Sequence, residues 1–239
     1  MNISLENRDL DLYGGTDPRE HPRYSFTEAA KAIHIPVSTL RSWVRGQSYR
    51  TGSSEGYFEP IISSPSESDK RLSFTNLIEA HALRALREVH GISLQYIRQA
   101  LDIAQIEYGI ERLLVSPLLR AKAGQLFLDS YTHLLELSEA KQYAMRSILS
   151  EYLQRVDFDE QKLPASFFPF ARFPSNFSKR IIVLSPFISF GRPVIRRIGV
   201  TTQTINQRLE AGEKMDVVLK DYNLNKDELE EAILYEAAS

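Results

Sequence analysis

The chain has 239 residues, 29 of them Lys or Arg and 31 Asp or Glu, for a formal charge of −2, and 43% are hydrophobic. That is ordinary composition for a water-soluble protein of one large or two modest domains. The absence of cysteine excludes disulfides, thiolate metal sites and thiol redox sensing, and no apolar run reaches the roughly 18 residues that a membrane-spanning helix needs.

Residues 1–22 begin polar and acidic (MNISLENRDLDLYGG), without the apolar stretch of a signal peptide, and read as a flexible arm of a cytoplasmic protein. Periodicity begins next. Phe26, Ala29, Ala30 and Ile33 recur at i, i+3, i+4 and i+7, which predicts a short amphipathic helix. His34-Ile35-Pro36 ends it, because Pro36 has no amide to donate and pushes Ile35 out of the helical region. A second helix follows with Val37, Leu40 and Val44 inward. Its other side carries Ser38, Thr39, Arg41, Ser42 and Arg45, the residue types that contact base edges and phosphates. Two such helices around a tight turn read as a helix-turn-helix. Charge agrees with that reading. Between Arg19 and Arg50 six basic residues face two acidic ones, a local charge of +4 in a chain of overall charge −2, which is the footprint of a phosphate-binding surface.

Arg45 to Lys70 is rich in Gly, Ser, Tyr and Pro and predicts two short strands with a mobile tip, a wing lying along the DNA backbone. Helical periodicity then resumes, with Phe74, Leu77, Ile78, His81, Ala82, Ala85 and Val89 on one face and Gly91 placed to cap the end. His81 falls on the apolar side, as a core histidine does. Ser93 can cap a further helix that buries Ile97, Ala100, Leu101 and Ala104. This order of parts, with Arg71-Leu72-Ser73-Phe74 before the long helix and Gly91-Ile92-Ser93-Leu94-Gln95-Tyr96-Ile97 after it, resembles the MerR-type winged helix-turn-helix over residues 24–107. His34 stands where that family has its turn glycine, and Pro36 where it has the serine cap. The resemblance implies a DNA-binding domain over residues 23–110, with Ser38, Thr39, Arg41, Ser42 and Arg45 in the major groove and Arg50, Lys70 and Arg71 on phosphates. Neither a sustained heptad repeat nor metal-binding cysteines follow.

In residues 111–178, Leu113-Leu114-Val115, Gln125 to Leu128 and Thr132 to Leu137 read as short strands, and Ser138 as the cap of a helix. Beyond Asp157 the chain turns extended and Phe-rich, broken by Pro164, Pro169 and Pro174. Two readings stand: a small core covering the winged helix, or a partner surface anchored by Phe167, Phe168, Phe170 and Phe173.

Residues 179–239 predict a strand at Lys179 to Leu184 and helices at Thr204–Ala211, Asp216–Tyr222 and Lys226–Ala237. The last two again have helix-turn-helix spacing. From Glu210 to Glu236, however, nine acidic residues face three lysines, a charge of −6 that repels phosphate and suits protein contact. Gly191-Arg192-Pro193-Val194-Ile195, Ala211-Gly212-Glu213, Asp221-Tyr222-Asn223-Leu224 and Ala232-Ile233-Leu234-Tyr235 resemble, in order, the elements of domain of unknown function 433. A MerR-like reader joined to this domain resembles the long VapB-type antitoxins. The resemblance implies neutralisation of a PIN-type ribonuclease toxin, with Arg192, Arg196 and Arg197 as candidates to enter its acidic active site, or else as a solvated basic loop. It also implies autorepression at the protein's own promoter, in double-stranded DNA, by a homodimer.

Enzymatic chemistry is not expected. His21, His34, His81, His90 and His133 make no metal-ligand spacing, and neither a phosphate-cradling glycine loop nor a nucleophile elbow is present. No cofactor is expected. The competing function is a stand-alone MerR-like transcriptional regulator that senses a small molecule in the Phe-rich middle. The expected fold is mainly α with small β elements (α+β): a winged helix-turn-helix over residues 23–110, a middle α+β segment over 111–178, and a small helical C-terminal domain over 179–239, with a fragment of residues 110–239 expected to bind the toxin by itself.

Overall fold

Ser25 starts the first helix because its hydroxyl accepts from the amide of Glu28 while the Glu28 carboxylate accepts from the amide of Ser25, a reciprocal cap. The structure, a computed structural model, describes residues 15–52, 54–66, 69–89, 93–115, 154–169 and 180–238. Helix α1, Phe26–Ala32, buries Phe26, Ala29 and Ala30, with Ile33 just beyond its end. His34 takes the left-handed conformation at φ 52, the turn position where a glycine is more at ease. Helix α2, Val37–Arg45, follows Pro36, which supplies no side-chain cap, and buries Leu40, Trp43 and Val44. Strands β1, Gln47–Thr51, and β2, Ser54–Phe58, pair antiparallel with Gln47 opposite Phe58, so the predicted wing is a hairpin.

The chain then returns under α2, where the carbonyl of Trp43 accepts from the amides of Ile61 and Ile62 at 2.8 and 3.0 Å. Tyr24 and Leu72 exchange backbone hydrogen bonds at 2.9 and 2.7 Å, which closes the helix-turn-helix on itself. Helix α3, Phe74–Arg84, starts from a reciprocal Ser73–Asn76 cap and relaxes into a π turn over Ala85–Val89. It is buried on nearly every side. His81 is fully enclosed, with its ring 4.8 Å from that of Phe167. Helix α4, Leu94–Tyr108, is capped by Ser93 and ends at Gly109 in the left-handed conformation. Ile97 and Ala104 are buried on it, and Ala100 and Leu101 half-buried. The cap expected at Gly91 lies outside the described residues.

Leu113–Val115, expected as a strand, is a 3-10 turn. Three apolar residues carry no period that separates strand from helix, and the amide of Val115 bonds to Arg112 only three residues back, at 3.2 Å. The strands expected at 125–128 and 132–137 and the helix from Ser138 lie outside the described residues. Beyond them, β3, Val156–Phe158, and β4, Pro164–Phe167, form an antiparallel pair. The strand expected at Lys179–Leu184 is shortened to β5, Ile182–Val183, paired with β6, Val194–Ile195. Phe167 and Leu184 exchange hydrogen bonds at 2.8 and 2.9 Å, joining β4 to β5. Helices α5, Thr202–Glu210, α6, Met215–Asp221, and α7, Lys226–Ala237, complete the chain. The observed class is therefore α+β, with small antiparallel strand pairs among helices.

One apolar cluster runs from Tyr24 and Leu40 through Leu77 and Phe167 to Ile205, Leu229 and Tyr235. The expected boundaries near 110 and 178 are thus not boundaries of the core. The N-terminal arm is also tied down where it is described. Arg19, 2% exposed, pairs with Asp17 at 3.0 Å and with Asp159 of the β3–β4 turn.

Candidate nucleic-acid interface and the junction behind it

Helix α2 presents two faces because its apolar residues fall at Leu40, Trp43 and Val44. Ser38, Arg41 and Arg45 are left exposed on the other side, with Thr39 and Ser42 half-buried. The guanidinium of Arg45 lies 4.9 Å from the ring centre of Phe26, and that of Arg41 5.9 Å from it. Neither arginine pairs with a carboxylate among the described residues, so both charges stay open to an anion. Ser42 turns its hydroxyl inward, donating to the carbonyl of Thr39 at 2.8 Å. That leaves Ser38, Arg41 and Arg45 as the outward members of the expected set.

The basic residues of the wing are held differently. Arg50 pairs across the hairpin with Glu55, donating from Nε at 2.6 Å. Arg71 is gripped by Asp69, with Nη2 to Oδ2 at 2.7 Å. The Arg71 guanidinium holds the Asp69 carboxyl below the usual carboxylate range. Both ion pairs are exposed and break at small cost. Lys70 is exposed.

Sequence reasoning passed over the wing's aromatics. Tyr49, Tyr57 and Phe58 are 41%, 51% and 52% exposed, and Tyr49 stacks on Phe58 at 4.3 Å. A Cβ at Gly56 would lie 2.4 Å from the Tyr49 ring, so glycine makes room for that stack. The Tyr57 hydroxyl donates to the carbonyl of Arg45, fastening the wing to the end of α2. Strand register decides this, and the tyrosines' composition was its only trace in the sequence.

At the back of the helix-turn-helix the C-terminal helices dock directly. Lys31 donates to the carbonyl of Glu236 at 2.9 Å and to its carboxylate at 3.0 Å. The Tyr24 hydroxyl donates to the carbonyl of Gly191 at 2.9 Å. Of the residues expected to meet a partner, Phe167 and Phe168 are 0% and 2% exposed. They are core residues, which corrects that expectation: an enclosed ring offers no area to another protein. Phe170 and Phe173 lie outside the described residues. Arg197 is committed to Glu228, Nε to Oε1 at 2.8 Å, and that guanidinium lowers the Glu228 carboxyl from its ordinary value. Arg196 lies 5.3 Å from the Phe168 ring centre, and Arg192 is exposed. The three arginines therefore do not act as one cluster.

No helix among the described residues is long and apolar enough to cross a membrane, and no group of three or more His, Asp or Glu side chains among them is placed to hold a metal ion.

The geometry is that of a helix-turn-helix module with a wing, packed against a small helical module, and comparisons with known proteins agree. Residues 22–101 match the family described as "Putative DNA-binding HTH domain", and residues 182–235 match "Protein of unknown function (DUF433)". Along most of its length the chain is similar to "Putative antitoxin VapB45" of Mycobacterium tuberculosis (strain ATCC 25618 / H37Rv), at 28% identity over 227 residues, 89% of this chain and 92% of that protein. The crystal structure of Rv2018 from Mycobacterium tuberculosis has a similar fold, with a TM-score of 0.66 at 25% identity, covering 89% of this chain and 98% of that one.

Proposed function

We propose that this protein is the antitoxin of a toxin–antitoxin pair, binding the promoter of its own operon as an autorepressing homodimer and neutralising a PIN-type ribonuclease toxin. One observation carries the reading. The likeness to VapB45 runs through the helix-turn-helix and the C-terminal module together, over 89% of the chain, so it concerns the joined architecture and not a common DNA-binding unit alone. The open charges of Arg41 and Arg45 on α2 support the DNA half. In this reading Ser38, Arg41 and Arg45 lie in the major groove, with Thr39 and Ser42 behind them. Arg50 and Arg71 reach phosphates by exchanging weak surface ion pairs for stronger ones, and the exposed Lys70 reaches one beside them. The resemblance of the wing to MerR-type proteins supports that docking.

The test is co-expression with the product of the adjacent reading frame. A product that is toxic alone, harmless with this chain, and that co-elutes with it in size exclusion supports the antitoxin reading. A harmless neighbour that does not co-elute overturns it.

A further inference from the structure

We propose that the turn carrying Phe190 and Arg192 is the anchor of a protein-binding surface, taking a partner that presents an apolar pocket beside a carboxylate. The inference rests on the reading that the chain binds a protein encoded beside it, and it names where. Ser189, Phe190 and Gly191 have φ of 47°, 53° and 76°, three consecutive residues in the left-handed region. Only glycine occupies that region without cost. The surrounding structure enforces it. The Gly191 amide donates to the carbonyl of Ile188 at 2.9 Å and that of Arg192 to the carbonyl of Ser189 at 3.2 Å, while the Tyr24 hydroxyl holds the Gly191 carbonyl. A Cβ on Gly191 would lie 2.5 Å from that hydroxyl, so the turn sits hard against the helix-turn-helix.

This strained turn leaves Phe190 71% exposed, beside neighbours that bury their apolar groups: Val194 and Leu184 are 0% and 1% exposed. A backbone held in a costly conformation that keeps an aromatic ring largely exposed points to a functional device. Phe190 and Arg192 stand at the rim of a cleft of about 470 Å³. Its walls join the two modules: Arg23, Glu28, Lys31 and Arg71 come from the helix-turn-helix side, and Arg192 and Glu236 from the C-terminal side. Arg192 is exposed and has no carboxylate partner among the described residues. An aromatic and an arginine side by side are the residue types that dominate protein hot spots.

Charge and chemistry choose the occupant. The open guanidinium of Arg192 calls for an acidic group. A DNA backbone is disfavoured, because its phosphates offer nothing to the exposed phenyl ring of Phe190. A protein supplies both a pocket and a carboxylate. Since the cleft spans both modules, its occupant also bridges them.

The experiment uses the full chain and the purified product of the adjacent reading frame, comparing wild type with Phe190→Ala and, separately, Arg192→Glu. Both side chains are exposed, and melting curves verify that the variants fold. Each variant is expected to weaken the complex roughly 30-fold or more, the range of a hot-spot residue, with affinity for the promoter fragment unchanged. Two folded variants that bind the product as tightly as wild type overturn the inference and leave the antitoxin reading standing. Arg192→Glu that loses the promoter and keeps the protein complex overturns it in favour of a phosphate contact. A wild-type chain that binds no product overturns the antitoxin reading and this inference with it.

Discussion

Removing the outward charges of α2 separates DNA binding from folding in a way the structure makes quantitative. Arg41→Ala combined with Arg45→Ala deletes two exposed guanidinium groups whose only described contacts are with the face of Phe26, at 5.9 and 4.9 Å. An exposed cation–π contact is worth about 0.5–1 kcal/mol. The folding cost of the double variant is therefore about 1–2 kcal/mol, a fraction of the roughly 5–15 kcal/mol of a typical domain. The DNA cost is larger. Each phosphate that loses its cation lowers the slope of log affinity against log salt by about 0.9, so two phosphate contacts lower it by about 1.8. If one arginine reads a guanine edge instead, that contact alone is worth about 1–3 kcal/mol and its loss relaxes specificity at one position. Fluorescence anisotropy with a labelled fragment of the gene's own promoter, run at several salt concentrations, measures both quantities, and circular dichroism on the same samples checks folding. Unchanged affinity and unchanged salt slope in a folded double variant would refute the assignment of α2 as the reading helix.

Phe167→Ala is expected to cost about 3–5 kcal/mol, since the ring is fully enclosed against His81, and urea unfolding measures it. A small change with lost partner binding would return Phe167 to the surface. A fragment of residues 110–239 is expected to lack a cooperative thermal transition, because Tyr235 and Ile205 share their core with Tyr24 and Phe26. A sharp melt of the isolated fragment would contradict the shared core. Asn225→Ala is expected to lose about 1 kcal/mol with the cap of α7, read from the shift in melting temperature. The Glu228 carboxyl is lowered by its hydrogen bonds from Arg197. Its stabilisation is thus complete above the ordinary value of 4.5 and is lost as the pH falls through the lowered value in the fold. Glu228→Gln should flatten the acid side of a stability–pH curve, and an unchanged acid limb would deny the ion pair that role.

Short-range features were legible before any coordinates. The periods at Phe26–Ile33 and Phe74–Ala85, the breaking Pro36, the wing between Arg45 and Lys70 and the cap at Ser93 depend on residues within a few positions of one another, so local chemistry determines them. The basic face of α2 followed by subtraction, because Leu40 and Val44 had to point inward. For the same reason the α+β class and the outward Ser38, Arg41 and Arg45 were accessible from spacing alone.

What needed the tertiary structure was everything that depends on which distant residues meet. A run of phenylalanines is apolar wherever it lies, and only the pairing of Phe167 with Leu184 and His81 makes it core and not interface. The three arginines of residues 192–197 look alike in sequence, yet Arg197 is taken by Glu228 on α7 while Arg192 is left at the cleft rim. Left-handed φ at Ser189 and Phe190 has no local signature, because the constraint comes from Tyr24, 167 residues away from Gly191 in the chain. Amphipathic period and capping determined the elements of this protein. Long-range hydrogen bonds and ion pairs, which no window of sequence contains, decided that its helix-turn-helix and C-terminal modules form one body.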